Sequence, residues 1–263
     1  MIFLKDNIVN FKSSLLAVAL TSCLALSACA GNAVEKYGQH DRYHIAQETP
    51  DPYEDFNRDI FEFNRTIDRY LLRPIAQGYD EVMPERGKIM VSNFVNNIEE
   101  PITFVNSVIQ ADAYNSFTTL WRFMLNSTFG IGGLFDVASD LGLKNRTTGF
   151  GDTLAVYGAD TGVYIVLPIL GPSNARDGIG WVGDVFMDPV SYTNNAFFYS
   201  IASVKTVDKR YKNLRLLDDI YATSLDPYIT LRSAYIQHRK GQVRKAIRLR
   251  NESIKKVTEN YNP

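Results

Sequence analysis

The amino terminus constrains this chain most, because it carries the pattern of a secretory signal peptide. Lys5 and Lys12 make the start basic, and a mostly apolar run from Ser13 to Ser27 follows. About fifteen such residues are too few to span a bilayer as a stable helix. A basic start, a short apolar run and small residues before a cut are typical of a signal peptide. Residues 1–28 are therefore predicted to be removed, which leaves Cys29 at the new amino terminus.

The small residues before Cys29 carry a second meaning. Leu26-Ser27-Ala28-Cys29 resembles the lipobox of bacterial lipoproteins, in which the cysteine is acylated after the signal is cut. Several acyl chains anchor firmly, since each buried methylene contributes about 0.8 kcal/mol. Leu20-Thr21-Ser22-Cys23 is a weaker match with a shorter apolar core, and an unmodified Cys29 is the alternative. Ala30-Gly31 follows Cys29. In enterobacterial lipoproteins an aspartate after the cysteine signals retention in the inner membrane, and its absence here favours the outer membrane.

Composition and charge exclude several classes of function. Cys23 and Cys29 are the only cysteines and both lie at the leader, so the mature chain can form neither a disulfide nor a thiolate metal site. The formal net charge of −1 argues against a general nucleic-acid binder. After Cys29 no stretch approaches the roughly 18 apolar residues of a spanning helix.

The sequence shows no pattern of a catalytic or cofactor site. Of its three histidines, His40 and His44 fall in the predicted tether and His238 in a basic terminal segment. Catalytic triads and zinc sites usually draw histidines from ordered elements. Gly-x-Ser-x-Gly, phosphate-loop and dinucleotide motifs are missing. We therefore expect no catalysis, metal or cofactor, and an enzyme built only from carboxylates is the open alternative.

The first half of the mature chain predicts a tether followed by helices. Residues 29–50 are polar and aperiodic, which indicates a tether. Asp51-Pro52 is a strong helix start, and Arg73-Pro74 is expected to end that helix. Pro84 opens another, which Glu99-Glu100-Pro101 is expected to stop. Asp112 is predicted to cap a helix that ends at Gly130–Gly133.

The second half contains a glycine-rich middle between helical segments. The apolar run Val163–Leu170 is followed by Gly171-Pro172. It is either a buried strand, against which Pro168 argues, or an irregular hydrophobic hairpin. Helices are predicted from about Asn194 to Ser224 and after Asp226-Pro227. The predicted class is thus mainly α, in one domain over residues 51–235.

The carboxyl-terminal segment, residues 236–263, is predicted to be a basic helical extension. The stretch from Arg232 to Lys256 is rich in lysine and arginine, with Glu252 as its only acid. One interpretation is a solvated terminal helix. The other is contact with anionic lipid or with an acidic partner surface.

A series of short motifs in a fixed order resembles the MlaA (VacJ) family of lipoproteins. The series runs from Asp51 to about Tyr235, and many short matches in one order are more specific than any single match. One departure is Ala111, where the family often has glycine, and the basic extension is not carried over from the family. The matching motifs include Asp51–Arg58, Phe63-Asn64, Arg73-Pro74, Ser92–Phe94, Asn97–Pro101, Gln110–Asp112, Gly130–Ala138, Phe150–Leu154, Gly171–Ser173 and Asp226–Tyr228.

This resemblance implies a helical ring in the inner leaflet of the outer membrane, with an amphipathic pore and no cofactor. It implies that phospholipid misplaced in the outer leaflet passes through the pore to a soluble periplasmic carrier, MlaC, and that a trimeric porin is a partner. Moving a head group through an apolar layer is costly unless polar groups replace its water. A pore with one polar and one apolar wall lowers that cost.

The glycine-rich segment Gly149–Gly183 is expected to be the movable wall of such a pore, with the Asn93-Phe94 helix beside it. The alternative is that these residues only pack and turn. The candidate pore or gate residues are Asn93, Phe94, Val163, Tyr164, Ile165, Leu167 and Pro168.

Two rival functions remain open at this point. A structural lipoprotein, acting as a scaffold without lipid flux, would fit the basic extension and the missing chemistry. An acyl hydrolase is disfavoured by where the histidines fall. The direction of transport comes entirely from the resemblance.

Overall fold

A computed structural model describes residues 51–261 of the chain. The predicted signal peptide, Cys29, His40, His44 and the tether lie outside the described residues. The described part is mainly α-helical, as predicted. Its elements are α1 (Glu54–Ile67), a π-helical turn (Asp68–Leu72), α2 (Arg73–Val82), α3 (Glu85–Ile109), α4 (Ala113–Thr128), α5 (Val137–Asp140), α6 (Phe150–Val156), β1 (Tyr164–Leu167), β2 (Gly171–Asn174), α7 (Ala175–Met187), a 3-10 turn (Pro189–Tyr192), α8 (Asn195–Lys212), α9 (Leu214–Thr223) and α10 (Pro227–Tyr261).

The predicted boundaries of α4 are confirmed. The Asp112 carboxylate accepts a hydrogen bond from the Asn115 N–H at 3.0 Å and so caps the helix. The helix ends at Thr128, just before the glycines. Gly133 has a φ of +96°, and a Cβ there would lie 2.4 Å from the Cβ of Asn97. Glycine is therefore required at this reversal both for its backbone conformation and for close approach.

Two proline-based predictions were wrong. Pro101 lies inside α3, which continues to Ile109. The lost backbone hydrogen bond is tolerated because tertiary contacts hold both sides of the proline, among them a buried Glu100–Arg122 ion pair at 2.7 Å. Near Pro74 the chain also stays helical. The irregular turn comes earlier, at Asp68–Leu72. Pro74 falls in the first turn of α2, where the fixed φ of proline suits a helix.

The apolar run forms a short β-hairpin. β1 and β2 are antiparallel, with Tyr164 opposite Asn174 and Leu167 opposite Gly171. Pro168 follows the last residue of β1, so it removes no ladder hydrogen bond, and Ile169 adopts a φ of +67° in the turn. Tyr164 and Val166 belong to a small buried cluster with Phe61 of α1 and Tyr228 of α10.

The remaining interior is unusually polar. Among the described residues, buried polar and charged side chains outnumber buried hydrophobic ones. Arg122 of α4, only 1% exposed, shows how they are satisfied. Its guanidinium donates to Glu100, to both oxygens of Asp136 and to Ser139. Buried charges persist only when they are paired and hydrogen-bonded in this way.

The exterior shows the opposite pattern, since many large apolar side chains face outward. Phe129 is 73% exposed and Tyr70 is 75% exposed. Apolar patches beyond a few hundred Å² usually mark a protein or membrane contact. Within residues 51–261 no helix combines the length and apolar character needed to cross a bilayer. Other exposed members of this apolar exterior are Phe56, Phe63, Tyr114, Phe117, Trp121, Met124, Ile131, Ile179, Trp181, Phe186, Phe197 and Tyr199.

Candidate functional site

The structure contains a cavity of about 700 Å³. It lies among α3, α6, α7, α8 and α10, the loop 145–149 and the turn of the hairpin. Ligand cavities of this size commonly hold organic molecules. Its lining residues include Glu99, Ile102, Thr103, Gln110, Asp112, Asn115, Arg146, Thr148, Asp152, Leu170, Trp181, Asp184, Val185, Asp188, Phe198, Ile201, Ala202, Lys205, Thr206, Lys209, Gln242, Lys245, Ala246 and Leu249.

Two helices each present one face to this cavity. The lining residues of α8 recur at spacings of three and four residues from Phe198 to Lys209, as do those of α10 from Gln242 to Leu249. Residues at such spacings share one side of a helix. Each helix therefore contributes a continuous stripe rather than scattered contacts.

The wall of the cavity is amphipathic. Ile102, Trp181, Phe198 and Ile201 supply apolar surface, and Leu170 adds the turn of the hairpin. Carboxylates, lysines, amides and threonines supply the rest. A ligand that itself has an apolar and a charged part fits such a wall better than a wholly apolar or wholly polar one.

Most of the acids of the wall are paired with cations. Asp112 accepts from Arg146 at 2.9 Å. Lys205 lies 3.6 Å from Glu99 and 3.8 Å from Asp188. These pairs remove negative charge that would otherwise repel an anionic ligand.

Asp152 is paired within a seam that joins α6, α7 and α10. Arg239 of α10 contacts Asp152 at 2.5 Å and Asp177 at 2.6 Å. Asp177 also accepts from the Tyr235 hydroxyl and from the Asn174 amide. Burial acts to raise the pKa of Asp177, but the hydrogen bond and charge of Arg239 outweigh it and hold the pKa at about 2. This seam ties the basic terminal helix to the body of the protein.

Asp184 is the exception among the acids of the wall, since the donors to its carboxylate in the described part of the chain are neutral. It accepts from the Phe150 N–H at 2.8 Å and from the Asn106 amide at 3.0 Å. Burial raises the pKa of Asp184 to about 6, the two donors oppose this, and the charges of Asp152 and Glu99 add to the rise. Part of the Asp184 population is therefore protonated near pH 6.

Comparisons with known proteins agree with this architecture. A family model described as "MlaA lipoprotein" matches residues 49–242. The chain belongs to the MlaA lipoprotein family. A Haemophilus influenzae relative named "Intermembrane phospholipid transport system lipoprotein MlaA" is 36% identical, over 88% of this chain and 91% of its own length. The Escherichia coli protein of that name is 34% identical, over 86% and 87%. A Rickettsia bellii protein without an assigned function is 41% identical, over 80% and 83%.

A solved structure gives the same result for the fold. It superposes with a TM-score of 0.66 at 34% identity and covers 74% of this chain and 99% of its own. It is described as "Structural basis for maintenance of bacterial outer membrane lipid asymmetry". The family expected from the sequence motifs is thereby confirmed, and so is the mainly α fold.

The candidate pore or gate residues do not line this cavity. Asn93 donates to the Leu134 carbonyl at 3.2 Å, and its neighbour Phe94 is half-buried. Tyr164 is buried among aromatic rings, whereas Pro168 is exposed at the turn. Val163, Ile165 and Leu167 are half-buried along the hairpin. Leu170, at the end of the same turn, does line the cavity.

Sequence reasoning missed two asparagines that hold the hairpin to α1. The Asn57 amide donates to the Tyr164 carbonyl and accepts from the Val166 N–H. Asn64 donates to the Leu167 carbonyl and accepts from the Ile169 N–H. The available signal was their separation of seven residues, which places both on one face of α1.

Proposed function

We propose that this protein removes mislocalised phospholipid from the outer leaflet of the outer membrane and passes it to a periplasmic carrier of the MlaC type. It acts as an outer-membrane lipoprotein, anchored through acylated Cys29 with the described domain in the inner leaflet. The cavity of about 700 Å³ with its amphipathic wall carries this proposal. The names of the relatives support it, since they belong to an intermembrane phospholipid transport system.

The distribution of polarity supports the placement in a leaflet. Many large exposed side chains are apolar, and the buried ones are largely polar. Lipid tails can cover the former at little cost, while the polar interior gives a head group replacements for its water. The proposed movable wall is the hairpin that contains Val163–Pro168, because its turn reaches the cavity through Leu170. The Asn93-Phe94 segment is proposed to lie beside it. A trimeric porin is the proposed partner in the membrane.

Blocking the cavity tests transport directly. Ala202 lies on the α8 stripe, and Ala202→Trp would fill part of the cavity, whereas neighbouring Ser203 is exposed and does not line it. We expect a deletion strain to show raised outer-leaflet phospholipid on intact cells. Wild type and Ser203→Trp should restore the low level, and Ala202→Trp should not. Thermal melts of both purified variants check that each folds.

The anchor is tested in the same assay with Cys29→Ala, which should fail to restore the low level. If the protein is instead a scaffold without lipid flux, we expect outer-leaflet phospholipid to stay at its low level in the deletion strain. If surface phospholipid does not rise on deletion, or if Ala202→Trp restores it as well as wild type does, transport through the cavity is wrong and the scaffold becomes the better explanation.

A further inference from the structure

The cavity wall carries two lysines whose charge is not neutralised by the protein. Lys209 of α8 and Lys245 of α10 both line the cavity, and neither has a carboxylate partner among the described residues. The nearest acid along α8, Asp208, is already bound by Lys212 at 2.6 Å and by the Ser92 hydroxyl. By contrast, Lys205 on the same stripe is balanced by two acids.

The stripe on α8 also has a direction. Its first lining residues, Phe198 and Ile201, are apolar, and its last, Lys205 and Lys209, are cationic. At 1.5 Å per residue the distance from Phe198 to Lys209 along the helix axis is about 16 Å. A phospholipid changes from acyl chain to phosphate over a length of this order, so the stripe matches a phospholipid whose phosphate lies toward Lys209.

We propose that Lys209 and Lys245 form the phosphate site for the lipid head group, and that this site favours phospholipids with a net negative charge. The inference rests on the proposed transport function. Ammonium groups bind phosphate as point charges, without the fixed geometry of a guanidinium. Phosphatidylethanolamine carries its own ammonium, which partly neutralises its phosphate, whereas phosphatidylglycerol has no such group. Two cations without protein partners therefore attract phosphatidylglycerol more strongly.

The preference is expected to be moderate. Both lysines are exposed to the cavity solvent, where a single ion pair contributes little and is screened by salt. Two such pairs acting on one phosphate correspond to about a threefold to tenfold change in the ratio of bound lipids. The ratio should fall toward unity as the ionic strength rises.

The test measures that ratio on the full acylated protein purified in detergent. The protein is equilibrated with mixed micelles of equal phosphatidylglycerol and phosphatidylethanolamine, and bound lipid is quantified by mass spectrometry. Lys209→Gln with Lys245→Gln should lower the ratio of phosphatidylglycerol to phosphatidylethanolamine about threefold to tenfold. The matched control is Lys144→Gln with Arg244→Gln, which removes the same charge from exposed positions that do not line the cavity and should leave the ratio unchanged.

The outcomes separate this inference from the transport function. An unchanged ratio in the folded double variant, with lipid still bound, would overturn the lysine site and leave transport intact. Absence of bound lipid in the wild type would overturn both. Inorganic phosphate at about 1 mM should not displace lipid, because it lacks acyl chains. Displacement would assign the lysines to a free-anion site and contradict the proposal.

Discussion

Helix α7 carries two partly buried carboxylates seven residues apart, and the protein treats them in opposite ways. Asp177 lies in the seam, where its carboxylate accepts from Arg239, Arg176, Asn174 and Tyr235, and its pKa falls to about 2. Asp184 lies in the cavity wall with only neutral donors, and its pKa rises to about 6. The seam thus stabilises the packing of α10 against α6 and α7. Within residues 51–261, the wall keeps an acid whose charge no neighbouring cation compensates.

The largest effect is expected from breaking the seam with Arg239→Gln. This change leaves Asp177 and Asp152 buried without their main cation, so the free energy of unfolding should fall by about 3–5 kcal/mol. Thermal or denaturant unfolding of the detergent-solubilised protein measures it. The matched control is Arg244→Gln on the same helix, an exposed position where the change should be within about 0.5 kcal/mol. Equal effects of the two variants would show that the ion pairs of the seam contribute no more to the free energy of unfolding than an exposed arginine does.

Asp177→Asn sharpens the comparison, because it keeps the shape and removes the charge. We expect a loss of about 1–3 kcal/mol at neutral pH. The pKa of wild-type Asp177 is lowered, so its stabilising contribution is present above about pH 4 and is lost as the pH falls toward 2. The gap between wild type and variant should therefore narrow in that window, as followed by unfolding at a series of pH values. A gap independent of pH would contradict the assignment.

Asp184→Asn should raise the free energy of unfolding at neutral pH, whereas Asp177→Asn lowers it. The raised pKa means that the folded state binds the proton more tightly, so stability is greatest below about pH 4 and declines as the pH rises through 6. An amide at this position avoids that decline, and the variant should be more stable than wild type by about 1 kcal/mol at pH 7.5, with no gain at pH 4. Asp160→Asn, at an exposed position, is the control. Destabilisation at pH 7.5 would show that the carboxylate is needed ionised.

The smallest effect is expected at an exposed ion pair on the basic helix. Arg248 lies 3.8 Å from Glu252, and both side chains are more than half exposed. Arg248→Gln should change the free energy of unfolding by less than about 0.5 kcal/mol. A larger loss would contradict the expectation that ion pairs in the seam contribute more to the free energy of unfolding than exposed ion pairs do.

Local sequence patterns predicted many of the elements well. Asp112 was identified as a cap because its carboxylate meets a backbone N–H only three residues away. The reversal at Gly130–Gly133 was predicted because glycine alone favours such backbone angles. The prediction that Pro101 ends the helix was wrong, because a local sequence pattern does not reveal the Glu100–Arg122 ion pair that stabilises α3 at the proline. The hairpin was left between two alternatives and proved to be paired strands with Pro168 in the turn.

The site was predicted less well than the fold. The family motifs pointed to a pore, but the candidate residues do not line the cavity, whose wall includes the stripes on α8 and α10. The α10 stripe lies in the basic segment that the motifs did not cover. Its alternation of Lys245, Ala246 and Leu249 is compatible with any amphipathic helix. Only the packing shows that this face borders the cavity.

The sequence by itself determined the helical class, most caps and reversals, and the family, and it predicts an export signal and a lipid anchor at Cys29. Each of these depends on residues within a few positions of one another. The tertiary structure decided which polar residues are buried, which acids are neutralised and which lysines face the cavity. Arg239 and Asp177 stand 62 residues apart in the chain, and Asn106 and Asp184 stand 78 apart. A side chain's charge state and role depend on partners brought to it by folding, and no local pattern specifies partners at such distances.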